Sequence, residues 1–280
     1  MKSYIIALIV ALTMLLGNSQ TTSATPHRVK GSGKLITKEI ALQPFKTVKV
    51  SRGINAHLVT SDSSNITIEA DDNLMEYIVA HVEKGCLILT INSSIQSLSS
   101  THVTITVPTD GVLYGITATS AAKVECQPQI VAGEVDLSAT SAAKIKAKVK
   151  AEECDIELSS SAEIEVELRC NECSIEGSSA AELTATIAAR ECNIELSSAA
   201  QATIKGASLQ ADAECTSASK LNAVNFAVKR YEIEVSSAAS ANICCVETLD
   251  AEATSGGSIR YKGECRNTTR SSSGGSIRPL

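Results

Sequence analysis

The chain has no Trp, only 2 Phe and 5 Tyr, and 5 Pro among 280 residues. Without large aromatics the core must be filled by Ala, Ile, Val, Leu and Cys. Such residues suit a narrow interior of repeated layers better than a broad globular core. The basic excess that a nucleic-acid surface needs is missing too, because the net charge is −6. The longest apolar run near the start, Tyr4 to Leu16, is 13 residues long, short of the ~20 a membrane helix requires. With Lys2 before it and Thr22-Ser23-Ala24 after it, the run reads as a secretory signal occupying residues 1–24. The mature chain is therefore expected to be exported, whether periplasmic, cell-surface or secreted, with no membrane-spanning segment once the signal is removed.

What is present is repetition. The phrase Ser-Ser-Ala-Ala, or a close variant, recurs nine times between Thr119 and Gly275. Its second residue falls at Ser120, Ser141, Ser160, Ser179, Ser198, Ser217, Ser237, Ser255 and Ser273, so the period is 18–21 residues. With that residue as position zero, position −4 reads Ile116, Leu137, Ile156, Ile175, Ile194, Ala213, Ile233 and Ala251. Position +4 reads Val124, Ile145, Ile164, Leu183, Ala202, Leu221, Ala241, Ile259 and Ile277. Apolar and polar residues alternate on both sides of the phrase, which is the period of a half-buried strand. A unit this short cannot bury its own apolar face, but stacked copies can. The fold expected is all-β: a parallel β-solenoid of about nine rungs over residues 113–280, right-handed by the usual preference of parallel crossovers. At ~4.8 Å per rung the rod is roughly 40 Å tall. The Ser-Ser-Ala-Ala phrase fits a tight corner.

Ahead of the rungs, residues 25–40 with Gly31-Ser32-Gly33 read as a linker, and 41–112 as a set of strands capping one end. Val48, Val50, Ile54, Ala56 and Leu58 alternate, and Glu83-Lys84-Gly85 marks a hairpin turn. The segment Phe45-Lys46-Thr47-Val48-Lys49-Val50-Ser51-Arg52-Gly53-Ile54-Asn55-Ala56-His57-Leu58 resembles the opening of the head GIN domain of auto-transporter adhesins, with Gly53-Ile54-Asn55 as the motif. Ile66 to Leu74, Val103 to Pro108 and the passage into repeats at Ser120–Val124 resemble the same family, so the likeness spans about residues 45–265. It implies an exported β-helical bacterial protein of the Bacteroidota type with an adhesin-like role. It brings no catalytic residues with it.

The register sorts the remaining chemistry. Position −3 is Glu in six successive rungs, Glu157, Glu176, Glu195, Glu214, Glu234 and Glu252, and position −5 adds Asp136, Asp155, Asp212, Glu232 and Asp250. Carboxylates in this arrangement suggest a cation-binding face, for Ca²⁺ above all, with Asp155, Glu157, Glu176, Glu195, Asp212, Glu214 and Glu234 as its candidates. The competing reading is a solvated face that keeps the rod soluble. Of ten Cys, Cys154, Cys173, Cys192 and Cys215 fall at inward positions and read as core thiols. The register assigns no role to Cys86, Cys126, Cys170, Cys244, Cys245 and Cys265, and Cys170-Asn171-Glu172-Cys173 alone is a weak zinc signal.

A carbohydrate-active enzyme is the rival class. It needs acid/base groups in a cleft with aromatic platforms. The repeats hold no His, because His27, His57, His81 and His102 all precede them. The expectation is a non-catalytic structural or interaction protein without cofactor, binding an unnamed protein or glycan at the cell surface and no nucleic acid. End-to-end association of rods is expected too, since no polar cap follows Ser271–Leu280.

Overall fold

The computed structural model describes residues 28–61 and 63–280. The signal expected at 1–24 lies outside the described residues. The described chain is nearly all-β, about nine turns of β-solenoid, with a single 3-10 turn at Met75–Tyr77 and no α-helix.

Each rung contains two strands joined by the Ser-Ser-Ala-Ala corner. In one rung Glu153–Leu158 leads into the corner and Glu163–Arg169 leaves it. Strands that enter the corner stack in parallel on one another and form face A. Strands that leave it form face B in the same way. The Ile column at −4 stays in register, Leu137 on Ile156 on Ile175 on Ile194. Between Glu182 and Ala253 the strands run through the second corner, as Glu182–Leu196 and Gln201–Cys215 do in 15-residue pieces.

Even positions point inward from both faces and fill the space between them. Residues at −4, −2, +2 and +4 are buried from Ile116 through Ile259. The interior is narrow, and sizes compensate within columns. Gly177 lies between Leu158 and Leu196, and a Cβ there would meet Leu196 Cδ2 at 2.8 Å. Tyr231 occupies the −6 column above Ala211, where it is fully buried and its hydroxyl has no hydrogen-bond partner.

The corner is a type I′ turn. Position zero has φ of 48–54° in all nine copies, and the Ala or Ser after it has φ of 58–62°. Left-handed backbone costs an L-residue about 1 kcal/mol or more, which is why such turns usually carry Asn-Gly. Two sets of bonds offset the cost here. The residue at +2 donates its N–H to the carbonyl at −1 within each corner, at 2.7–3.2 Å. The residue at +1 donates to the carbonyl at zero in the next rung, as Ala121 does to Ser141 and Ala180 to Ser198, both at 2.9 Å. The corners thus continue the inter-rung ladder without a break.

One reading of the sequence needs correction. The stretch taken as a linker contains strands: Arg28–Lys30 pairs with Ser97–Ser99, and Leu35–Ala41 pairs antiparallel with Asn65–Asp71. Buried Asp71 holds this stretch down, its carboxylate accepting the N–H of Gly33 and of His102, each at 2.7 Å. At −6 of the first rung Tyr114 is 51% exposed, and Leu113 beside it is buried. The reason is that register pairing in this rung starts only at Gly115.

The N-terminal strands do not follow rung order. Thr47–Val50 and Asn55–Thr60 form a rung that stacks on Gly115–Ala118 and Lys123–Cys126. On its other side lie Cys86–Ile91 and Val103–Thr109, later in sequence but nearer the end of the rod. Antiparallel strands Ile78–Glu83 and Asn65–Asp71 close that end, the first through a two-residue turn at Lys84-Gly85 with φ of 50° and 78°.

Candidate functional site

The outward residues of the two faces carry charge in different patterns. On face B, Lys144, Lys146 and Lys148 of one rung stand against Glu163, Glu165 and Glu167 of the next. Lys146 and Lys148 bind their partners at 2.9 and 3.0 Å. This is cross-strand pairing of opposite charges, each pair worth a few tenths of a kcal/mol at such exposure.

Face A stacks like on like. Glu157, Glu176, Glu195, Glu214, Glu234 and Glu252 are successive register partners in one column. Beside them run Asp136 on Asp155, and Asp212 on Glu232 on Asp250. A third column, Glu134 on Glu153 on Glu172 on Glu191, went unnoticed in the sequence although the same alternation carries it to position −7. Neighbouring carboxylates at rung spacing repel by about 0.9 kcal/mol in water before screening. Cations on this face pair at its margins. Arg190 reaches Glu191 at 2.8 Å, and Arg270 reaches Asp250 and Glu252 at 3.1 Å each. Among the described residues, Glu157, Glu176, Glu195, Glu214 and Glu234 have no ion-pair partner.

A shallow groove of about 430 Å³ runs along the rod between the Glu column, from Glu157 to Glu214, and the Ser/Thr column at position −1, from Thr140 to Thr216. Carboxylates line one wall and hydroxyls the other. No aromatic side chain lines the groove.

Of the seven residues expected as a cation face, six are strung along the rod. Only Asp155 joins a compact group. One oxygen each from exposed Glu134, Asp136 and Asp155 lies within 4.8 Å of the other two. Partial burial, and then the charge of Asp155, push the Asp136 carboxyl above its usual range. Hard cations take such oxygen donors. The four Cys placed inward by the register, Cys154, Cys173, Cys192 and Cys215, are all buried. Cys173 and Cys192 come closer than backbone spacing alone suggests, with Sγ atoms 3.0 Å apart.

The fold and the carboxylate columns together define a capped, two-faced β-solenoid with one strongly acidic face. The chain belongs to the family described as "Putative auto-transporter adhesin, head GIN domain", whose model matches residues 44–186 and 165–265. Among solved structures it is similar to a "putative adhesin" from Parabacteroides distasonis, at 20% identity and TM-score 0.69, covering 90% of this chain and 100% of that one. A "putative adhesin" from Parabacteroides merdae shares 22% identity at TM-score 0.68, over 91% and 99% of the two chains. A "putative lipid binding protein" from Parabacteroides distasonis shares 16% at TM-score 0.66, over 90% and 99%. Likeness at these identities is likeness of fold. No curated protein matches the chain. Among the described residues no helix is long and apolar enough to cross a membrane.

Proposed function

We propose that the chain is an exported, non-catalytic, adhesin-like module that binds through the acidic columns of face A. The observation carrying this reading is the contrast between the faces. Between two rungs face B sets Lys144, Lys146 and Lys148 against Glu163, Glu165 and Glu167, whereas face A keeps Glu157 to Glu234 unpaired in one column at a repulsive cost. A partner with positive charges along a line relieves that cost and gains affinity and faster association. The family supports a binding role, and the groove supplies Ser and Thr hydroxyls beside the carboxylates. The partner is a surface protein or an amine-bearing glycan. Binding of a Lys-rich peptide and of a chitosan oligosaccharide, followed by calorimetry, tests it. Heat that disappears in the Glu176→Gln/Glu195→Gln/Glu214→Gln variant supports the assignment, and equal heat in that variant refutes it.

A second reading, divalent-cation binding, is favoured by the convergence of Glu134, Asp136 and Asp155. Calcium added to chelator-treated protein then gives heat and a higher melting temperature, both lost in Asp136→Asn. No response in the wild type removes this reading.

A further inference from the structure

Three thiols meet where one rung passes into the next. Cys173 and Cys192 are register partners on adjacent rungs, both buried, with sulfurs 3.0 Å apart. Cys170 lies at the second corner, half-buried, and its thiol neighbours that of Cys173. Register neighbours in a parallel ladder have Cα atoms ~4.8 Å apart, within the span of a disulfide. The side chains of Cys173 and Cys192 are already turned toward each other, so bonding needs about 1 Å of further sulfur movement. Cys154 is the other register neighbour of Cys173.

We propose that Cys170, Cys173 and Cys192 form a thiol relay, entered at Cys170 by a small disulfide oxidant and ending in a Cys173–Cys192 cross-link between rungs. The Cys170 thiolate attacks one sulfur of the oxidant R–S–S–R, forming a mixed disulfide and expelling RS⁻. Cys173 attacks Cys170 Sγ, forms the Cys170–Cys173 bond and expels the second RS⁻. Cys192 then attacks Cys173 Sγ, and Cys170 leaves as a thiolate. Two protein thiols are oxidised and one external disulfide is reduced to two thiols, which take up the protons of Cys173 and Cys192. Cys170 ends as it began.

The relay explains an otherwise idle arrangement. The buried pair has no direct path to an oxidant, and the half-buried thiol beside it provides one. Contact with Cys173, and then burial, push the Cys170 thiol above its usual range. Its thiolate is therefore scarce near neutral pH, and the reaction accelerates as pH rises.

The test exposes the full chain to oxidised glutathione at pH 8.5, traps free thiols by alkylation after acid quenching and denaturation, and maps disulfides by peptide mass spectrometry. The expected result is a Cys173–Cys192 disulfide with Cys170 alkylated, and a melting temperature higher by roughly 5 °C. Cys170→Ser is expected to slow cross-linking at least about tenfold. Cys192→Ala is expected to stop the reaction at Cys170–Cys173; the column accepts Ala, since Ala211 is the next register partner. If Cys173 and Cys192 remain fully alkylatable in folded wild type after prolonged exposure, the cross-link is refuted. If Cys170→Ser cross-links at the wild-type rate, the relay is refuted.

Discussion

The backbone N–H of Gly53 donates to the carbonyl of Ser120 at 2.9 Å, the same bond by which Ala121 reaches Ser141 in the next rung. The Gly-Ile-Asn motif is therefore one more corner of the solenoid. Arg52 and Gly53 have φ of 62° and 73°, as the Ser-Ala pairs do, and Ile54 is buried in the Ala column. A motif at the start of the chain joins the cap to the first repeat.

Corner chemistry sets a first prediction. Gly53→Ala forces an L-residue into left-handed backbone and is expected to cost about 1 kcal/mol. Ala180→Gly, at φ 58°, is expected to stabilise by up to about 1 kcal/mol. Thermal melts of the two variants check both signs.

The acidic columns predict an unusual response to salt. Glu176→Gln and Glu195→Gln should each raise the melting temperature at low ionic strength, and the gain should shrink as salt screens the repulsion. Lys146→Gln on face B should lower it slightly, by about 0.5 kcal/mol or less. Melts at two salt concentrations separate the faces.

Asp136 predicts a pH effect of defined sign. Its carboxyl is raised above the usual aspartate range by partial burial, and then by Asp155. The folded chain therefore holds this proton at a pH where the unfolded chain has released it. Its contribution to stability falls as pH rises from below 3.8 through the raised folded value. Asp136→Asn removes that contribution, so its stability relative to wild type is expected to improve across that window. Urea titrations at several pH values read it directly.

Burying a hydroxyl without a partner leaves its desolvation uncompensated. Tyr231→Phe keeps the ring and removes that group, so a gain of about 1 kcal/mol is expected by denaturation.

The clamp at Asp71 should be among the costliest single positions in the cap. Asp71→Ala orphans the N–H groups of Gly33 and His102 and is expected to cost about 3 kcal/mol. Hydrogen exchange should show early opening at Leu35–Ala41.

Most of the rungs are legible in the chain because period and alternation are local. Once Ser-Ser-Ala-Ala marks the corner, Ile156, Ile175 and Ile194 must share a column and Glu157, Glu176 and Glu195 its outward neighbour. The strand Leu35–Ala41 was not legible, because it pairs with Asn65–Asp71, 24 residues later at the nearest pair, and carries no repeat of its own. Glu134, Asp136 and Asp155 come together only because two columns and two rungs meet there.

By itself the sequence determined the stacking: identical spacing with alternating apolar residues has one dense solution, in which each rung buries its neighbour. Tertiary structure decided the rest. It made the Ser-Ala corners left-handed, because inter-rung bonds outweigh a local preference that would forbid them. It inserted Thr47–Thr60 between later strands, because pairing follows edges rather than chain order. It turned the sulfurs of Cys173 and Cys192 toward each other, because side-chain rotation, not spacing, sets that distance.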